Sequence, residues 1–144
     1  MNDEELYKEF FDSKLTESEV NQLSSLVLAF VGDVVFSFYV KTKVLNLTKL
    51  KVNALNANTS KLVNAHSQRE MLFKLMPILT EQEAQIVKRA RNTNIHTKAK
   101  NYSIEEYRHA TAFEALIGYL YLIRRYERLN EILKLAVEQN EDWR

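Results

Sequence analysis

Between Leu26 and Val40 the chain reads LVLAFVGDVVFSFYV, a run with a single charge, Asp33. Whether it is strand or helix decides the fold. The whole chain of 144 residues has two glycines and one proline. Sheets and long loops normally need more turn residues, so the run belongs to a long helix in an all-α protein. A second stretch matches it. Ala110 to Ile123 reads ATAFEALIGYLYLI and also carries one charge, Glu114. Helices this hydrophobic are expected at the centre of a domain, packed on each other. A carboxylate there is costly unless it is paired, protonated or bound to a metal.

The two glycines sit beside these two acids. Gly32 precedes Asp33, and Gly118 follows Glu114 by one turn. Glycine inside a helix costs about 1 kcal/mol relative to alanine, so both positions imply close backbone approach. Neighbours one turn away are small as well: Ala29 and Ser37 around Asp33, Ala110 and Gly118 around Glu114. Two acids on apolar helices, each flanked by small residues, describe a pocket for a hydrated cation. Magnesium suits it, because Mg²⁺ takes a few carboxylate oxygens and keeps several waters. Zinc fits less well, since the chain has no cysteine and only the scattered His66, His96 and His109. The bland alternative is that each acid pairs with an arginine such as Arg108.

Outward from these runs, three capping boxes mark helix starts: Thr16 with Glu19, Thr80 with Glu83, and Ser103 with Glu106. The expected helices span residues 3–11, 17–45, 48–76 with a break near Asn53–Thr59, 81–91, 104–125 and 127–140. Pro77 ends the third of these elements. Asn92 to Asn101 is the one long candidate loop. No repeat or low-complexity tract divides residues 1–144, which read as a single domain. Without cysteine, disulfides and thiolate chemistry are excluded. The acidic start MNDEELYKEF is unlike a signal peptide, and no uninterrupted apolar run has the ~18 residues of a membrane span, so a cytoplasmic protein is expected.

The net charge of +1 hides an uneven distribution. No acid lies between Val34 and Arg69, nor between Ala84 and Ile104; the second stretch holds Lys88, Arg89, Arg91, Lys98 and Lys100. Basic zones of this kind are the footprint of a polyanion binder, unless acids elsewhere neutralise them in space.

Taken together the motifs resemble the ribonuclease III family. Phe30-Val-Gly-Asp33 is similar to the end of its signature helix, and Glu114-Ala-Leu-Ile-Gly118 to its second acidic motif. The spacing, the lack of a double-stranded-RNA-binding domain, and the segments Arg89-Ala-Arg-Asn92, Lys61 to Gln68 and Tyr107 to Leu116 resemble the Mini-ribonuclease III branch. The match covers nearly everything after the first ~20 residues.

That resemblance implies a helical endonuclease domain acting as a homodimer, with Phe30 reaching into the partner. It implies a metal-dependent endoribonuclease of double-stranded RNA, maturing the large-subunit (23S) ribosomal RNA precursor and leaving 5′-phosphates. Asp33 and Glu114 would be catalytic and would ligate Mg²⁺, with Mn²⁺ able to substitute, and Mg-activated water would attack the phosphodiester. Lys88, Arg89, Arg91, Asn92, Lys98, Lys100 and Arg108 would grip RNA. A ribosomal protein is a further conceivable partner.

Two departures matter. Leu26, Ala29 and Thr111 stand where full-length relatives carry acids, so the metal site is lean, with Thr111 left to act behind it through its hydroxyl. Ser37 stands where the branch often has Glu. The alternatives are a non-catalytic RNA-binding or ribosome-associated protein of the same fold, and a plain helical interaction protein.

Overall fold

The computed structural model describes residues 1–47, 51–93 and 102–138. Its described residues form helices and no strand. In chain order these are α1 (Asp3–Phe11), α2 (Glu17–Asn21), α3 (Ser25–Leu47), α4 (Val52–Ser60), α5 (Ala65–Leu75), α6 (Glu81–Arg91), α7 (Ile104–Leu122) and α8 (Tyr126–Glu138). All three expected capping boxes form. Thr16, Thr80 and Ser103 each accept from the backbone N–H three residues on, while Glu19, Glu83 and Glu106 reach back to the cap. A fourth, Asn2 with Glu5, starts α1.

α3 and α7 are the two apolar helices, and their contact is the largest between any two elements. α7 is buried on nearly every side, because α5, α6 and α8 also pack on it. Phe36 of α3 meets Phe113 of α7 edge to face at 5.0 Å, with both rings fully buried. The crossing is tighter than any side chain allows. A methyl group on Gly32 would stand 1.7 Å from the Glu114 carbonyl oxygen, and one on Gly118 would stand 2.0 Å from the Leu28 carbonyl oxygen. Both glycines of the chain are spent here. The left-handed positions, which usually go to glycine, fall instead to Lys14 (φ 65°) and Arg124 (φ 62°). Arg124 follows α7, and its guanidinium bonds the Leu15 carbonyl and the Asp12 carboxylate.

Two expected helices are divided. The segment expected at 17–45 breaks after Asn21, because the Ser24 hydroxyl accepts from Val27 N–H and caps a new helix, α3. The segment expected at 48–76 breaks at 61–64 and not at 53–59, which is helical in α4. Asn64 makes this break. Its side-chain oxygen accepts from Ser67 N–H at 2.9 Å, and its amide nitrogen donates to the Ser60 and Lys61 carbonyls at 2.8 and 3.1 Å. Pro77 does end α5, in a short 3₁₀ turn over Met76–Ile78. α7 stops at Leu122 rather than 125. The end expected for α8 at 139–140, and residues 94–101 of the expected loop, lie outside the described residues.

Polar groups inside the bundle are paired. Glu83 is 2% exposed, and both its oxygens accept from Arg128, at 2.9 and 2.8 Å. This pairing, with the Thr80 cap, holds the carboxyl below the usual range against its burial. The buried Tyr119 hydroxyl donates to Asn21 and accepts from Gln82.

One face of α3 is not covered. Leu26, Val27, Phe30, Val34, Phe38 and Leu45 are all exposed, Phe30 by 74% and Phe38 by 70%. By length and composition alone, Ser25–Asn46 could cross a membrane. Its other face, however, is packed into the centre of the bundle, and Asp33 interrupts it.

Candidate active site

The α3–α7 crossing sets the site. Gly32 and Gly118 bring the two backbones into contact, and Asp33 and Glu114 stand just beside that contact on the two helices. The Asp33 carboxyl adjoins that of Glu114 and makes it harder for Glu114 to give up its proton. Burial first, and then the neighbouring Asp33, push the Glu114 carboxyl up to about 9. Glu114 is half-buried, whereas Asp33 is exposed. Asp33 therefore departs from the expectation of a buried acid, because it lies toward the uncovered face of α3.

Both acids open on a cavity of about 540 Å³. Leu26, Ala29 and Phe30 of α3 and Ala110 and Thr111 of α7 line it too. So do Val63, Asn64, Ala65 and Gln68 at the start of α5, and Tyr102 and Tyr107. The small residues flanking the acids in sequence are thus cavity wall, as expected. Among the described residues no lysine or arginine lines it. The first turn of α5 forms part of the wall, and a helix N-terminus favours anions.

The other sequence-predicted residues fall as follows. Thr111 is buried, and its hydroxyl donates to the Tyr107 carbonyl at 2.9 Å, leaving the oxygen's lone pairs to face the cavity wall. Lys88 and Arg89 are exposed near the end of α6, Arg91 is half-buried and Asn92 caps the helix. Arg89 also donates to the Leu23 carbonyl, tying α6 to the α2–α3 turn. Arg108 is exposed on α7 and makes no ion pair with either acid among the described residues, so the bland pairing is not what the structure adopts. Lys98 and Lys100 lie outside the described residues. His66 and His109 serve as polar contacts at Glu106 and Glu105, away from the acid pair.

Sequence reading missed Asn64, Gln68 and Tyr107 as cavity residues. They lie in the family-like segments Lys61 to Gln68 and Tyr107 to Leu116, but nothing local marks them as neighbours of the acids, and only the packing of α5 on α7 brings them there. The arrangement fits magnesium on the chemistry of its donors. Two adjoining carboxylates, one of which raises the proton affinity of the other, are relieved by the charge of a divalent cation. Among the described residues no cluster of three or more His, Asp or Glu donors occurs, so most of the coordination would fall to water.

Comparison with known proteins agrees with this layout. The model of the ribonuclease III domain matches residues 26–125, from the start of the exposed α3 stripe to just past α7. Mini-ribonuclease 3 of Thermoanaerobacter sp. (strain X514) is 44% identical, over 89% of this chain and 90% of its own. Mini-ribonuclease 3 of Clostridium tetani is 40% identical, over 94% and 90%. A crystal structure of a Fusobacterium nucleatum protein superposes with a TM-score of 0.76 at 32% identity, over 81% of this chain and 95% of that one. Matches of that identity and coverage settle where the all-α frame comes from: the chain belongs to the ribonuclease III family, in its Mini-ribonuclease 3 branch, and is an endoribonuclease.

Proposed function

We propose that this chain, as a single domain over residues 1–144, cleaves double-stranded RNA in the Asp33–Glu114 cavity, and that its biological substrate is the precursor of large-subunit ribosomal RNA. The observation that carries the reading is the adjoining acid pair at a glycine-built helix crossing, opening on a cavity that no cationic side chain lines among the described residues. Such a pair serves no structural end that an apolar pair would not serve better. It makes sense as a magnesium site. Asp33 and Glu114 would hold the ion, which supplies Lewis acidity for hydrolysis of the phosphodiester to a 5′-phosphate and a 3′-hydroxyl. Manganese would substitute.

Around the ion, this chain's residues orient the duplex. Lys88, Arg89, Arg91 and Asn92 at the end of α6, with Lys98, Lys100 and Arg108, meet the backbone. A-form RNA hides its base edges in a deep major groove, so recognition rests on shape, phosphates and 2′-hydroxyls. Binding then weakens steeply with salt. Thr111 acts behind Glu114 through the free side of its hydroxyl. Cytoplasmic rRNA maturation follows from this reading.

The test of the reading is direct. Wild-type protein is incubated with a structured duplex RNA and its single-stranded halves. Cleavage of the duplex with Mg²⁺ or Mn²⁺, abolished by a chelator, supports it; no cleavage under any divalent ion sinks it.

Two active sites on one duplex require a homodimer, and the uncovered face of α3 supports one. Phe30, Val34 and Phe38 recur at one-turn intervals with 74%, 62% and 70% of their surface exposed, on the same helix as Asp33. Phe30 also lines the cavity, so a partner seated on this face would lie at its mouth. Phe30→Glu is expected to shift the sedimentation mass from dimer to monomer at micromolar concentration, with the helical signal intact. An unchanged mass would remove this face from the interface.

A further inference from the structure

Gln68 is a buried polar residue of the cavity whose side chain its own protein does not use. It lies in the first turn of α5, is 4% exposed, and lines the wall of the cavity. Its backbone N–H bonds the Asn64 carbonyl, but its side-chain amide has no hydrogen-bond partner among the described residues. The amide is not sealed away either. The buried side-chain polar atoms left without a partner are Ser25 Oγ and Tyr39 Oη. The Gln68 amide therefore keeps its access through the cavity.

Its neighbours narrow what it can hold. The Asn64 amide is fully engaged by Ser67, Ser60 and Lys61. The Thr111 hydroxyl has given its hydrogen to Tyr107. The acids carry the negative charge, and among the described residues no cation lines the wall. Gln68 and the hydroxyls of Tyr102 and Tyr107 each offer a donor and an acceptor together on an uncharged group, and of the three residues only Gln68 is buried. A phosphate oxygen would use only the donor. A water whose lone pair is committed to a cation would use only the acceptor. A hydroxyl uses both, and the hydroxyl that duplex RNA brings beside its phosphates is the ribose 2′-OH.

We propose that Gln68 is a specificity residue, its amide accepting from and donating to the ribose 2′-hydroxyl of a nucleotide beside the scissile phosphate. It thereby makes the site selective for RNA over DNA. The inference rests on the cavity being the cleavage site.

The test pairs a protein change with a substrate change. Gln68→Met and Gln68→Leu keep the volume and remove the amide, and both should melt at or above the wild-type temperature. Duplex RNAs carry one 2′-deoxynucleotide at each position within about three of the cleavage point, the reach of one cavity. In wild type, one such position should lower kcat/KM roughly ten-fold, as the loss of a hydrogen-bonding pair does. Each variant should lose a similar factor on all-ribose substrate and lose nothing more at that deoxy position, while its Mg²⁺ requirement stays unchanged.

Loss factors that multiply would overturn the proposal, as would variants equal to wild type on all-ribose RNA. A raised Mg²⁺ requirement with 2′-OH sensitivity intact would assign the amide to the water around the cation instead. If neither variant folds, the wild-type scan still decides, since a flat deoxy profile removes the contact. A wild type that cuts no duplex RNA fails at the earlier step, the cavity's role in cleavage. Multiplying factors fail only the Gln68 contact.

Discussion

Replacing Gly32 by alanine is expected to destabilise the protein by at least about 3 kcal/mol, lowering its melting temperature by about 10 °C. Alanine is the better helix former and by propensity alone would stabilise α3 by about 1 kcal/mol. The sign reverses because of what the methyl meets. At Gly32 it would fall 1.7 Å from the carbonyl oxygen of Glu114 and 2.9 Å from Gly118 N. These are backbone atoms of a fully packed helix and cannot rotate away, so α3 and α7 must separate along their length. Gly118→Ala drives the same wedge from the other side, 2.0 Å from the Leu28 carbonyl oxygen. Once the helices have parted for one methyl, the second meets less resistance. The double variant should therefore lose less than the sum of the two single losses. Urea unfolding of the four proteins measures this. A single alanine variant within about 0.5 kcal/mol of wild type would contradict the crossing described. The separation also moves Glu114 from Asp33, so variants kept folded at low temperature should cleave more slowly.

That crossing was readable in the sequence for a simple reason. With two glycines in the chain, each beside the only charge of an apolar helix, composition and position pointed the same way. The capping boxes were readable too, because the chemistry of a cap is local to four residues. What escaped was decided by tertiary contact. The break at Ser24 replaces one long amphipathic helix by two, and nothing in its serine distinguishes it from an exposed helical serine. The break expected within Asn53–Thr59 followed its run of asparagines, yet those residues stay helical and the single Asn64 makes the turn. The exposure of Asp33 escaped because hydrophobicity was equated with burial. In α3 a third of the most apolar window is buried, and the other face awaits a partner. Gln68 lies in a family-like segment, but its side-chain amide's lack of a hydrogen-bond partner among the described residues is a property of the packed cavity and has no sequence signature.

Glu114→Gln should make the protein roughly a thousand-fold slower in Mg²⁺-dependent cleavage and, without metal, more stable at pH 7.5 by about 4 kcal/mol. The opposed signs follow from one cause. In the unfolded chain Glu114 titrates at its ordinary value of 4.5; in the folded, metal-free protein burial and Asp33 push it to about 9. Between those two values the folded state holds a proton that the unfolded state has released. Stability is therefore highest near pH 4.5 and falls as the pH rises toward 9. Glutamine carries its hydrogens at every pH and can donate to Asp33, so the variant should lose this slope as well as the penalty. Magnesium reverses the comparison. To hold the ion Glu114 must give up its proton, so binding at pH 7.5 should release close to one proton in wild type and none at residue 114 of the variant. Calorimetry in buffers of different ionisation enthalpy counts the proton, and thermal melts from pH 5 to 9 with and without Mg²⁺ give the slopes. Wild-type and variant melts that run parallel across that range would detach Glu114 from the acid pair. A variant that still gains stability from Mg²⁺ as wild type does would leave Asp33 as the sole ligand. The acid pair would then be a proton-sharing contact, and the reason for glycine at both faces of the crossing would have to be sought in the α3–α7 packing alone.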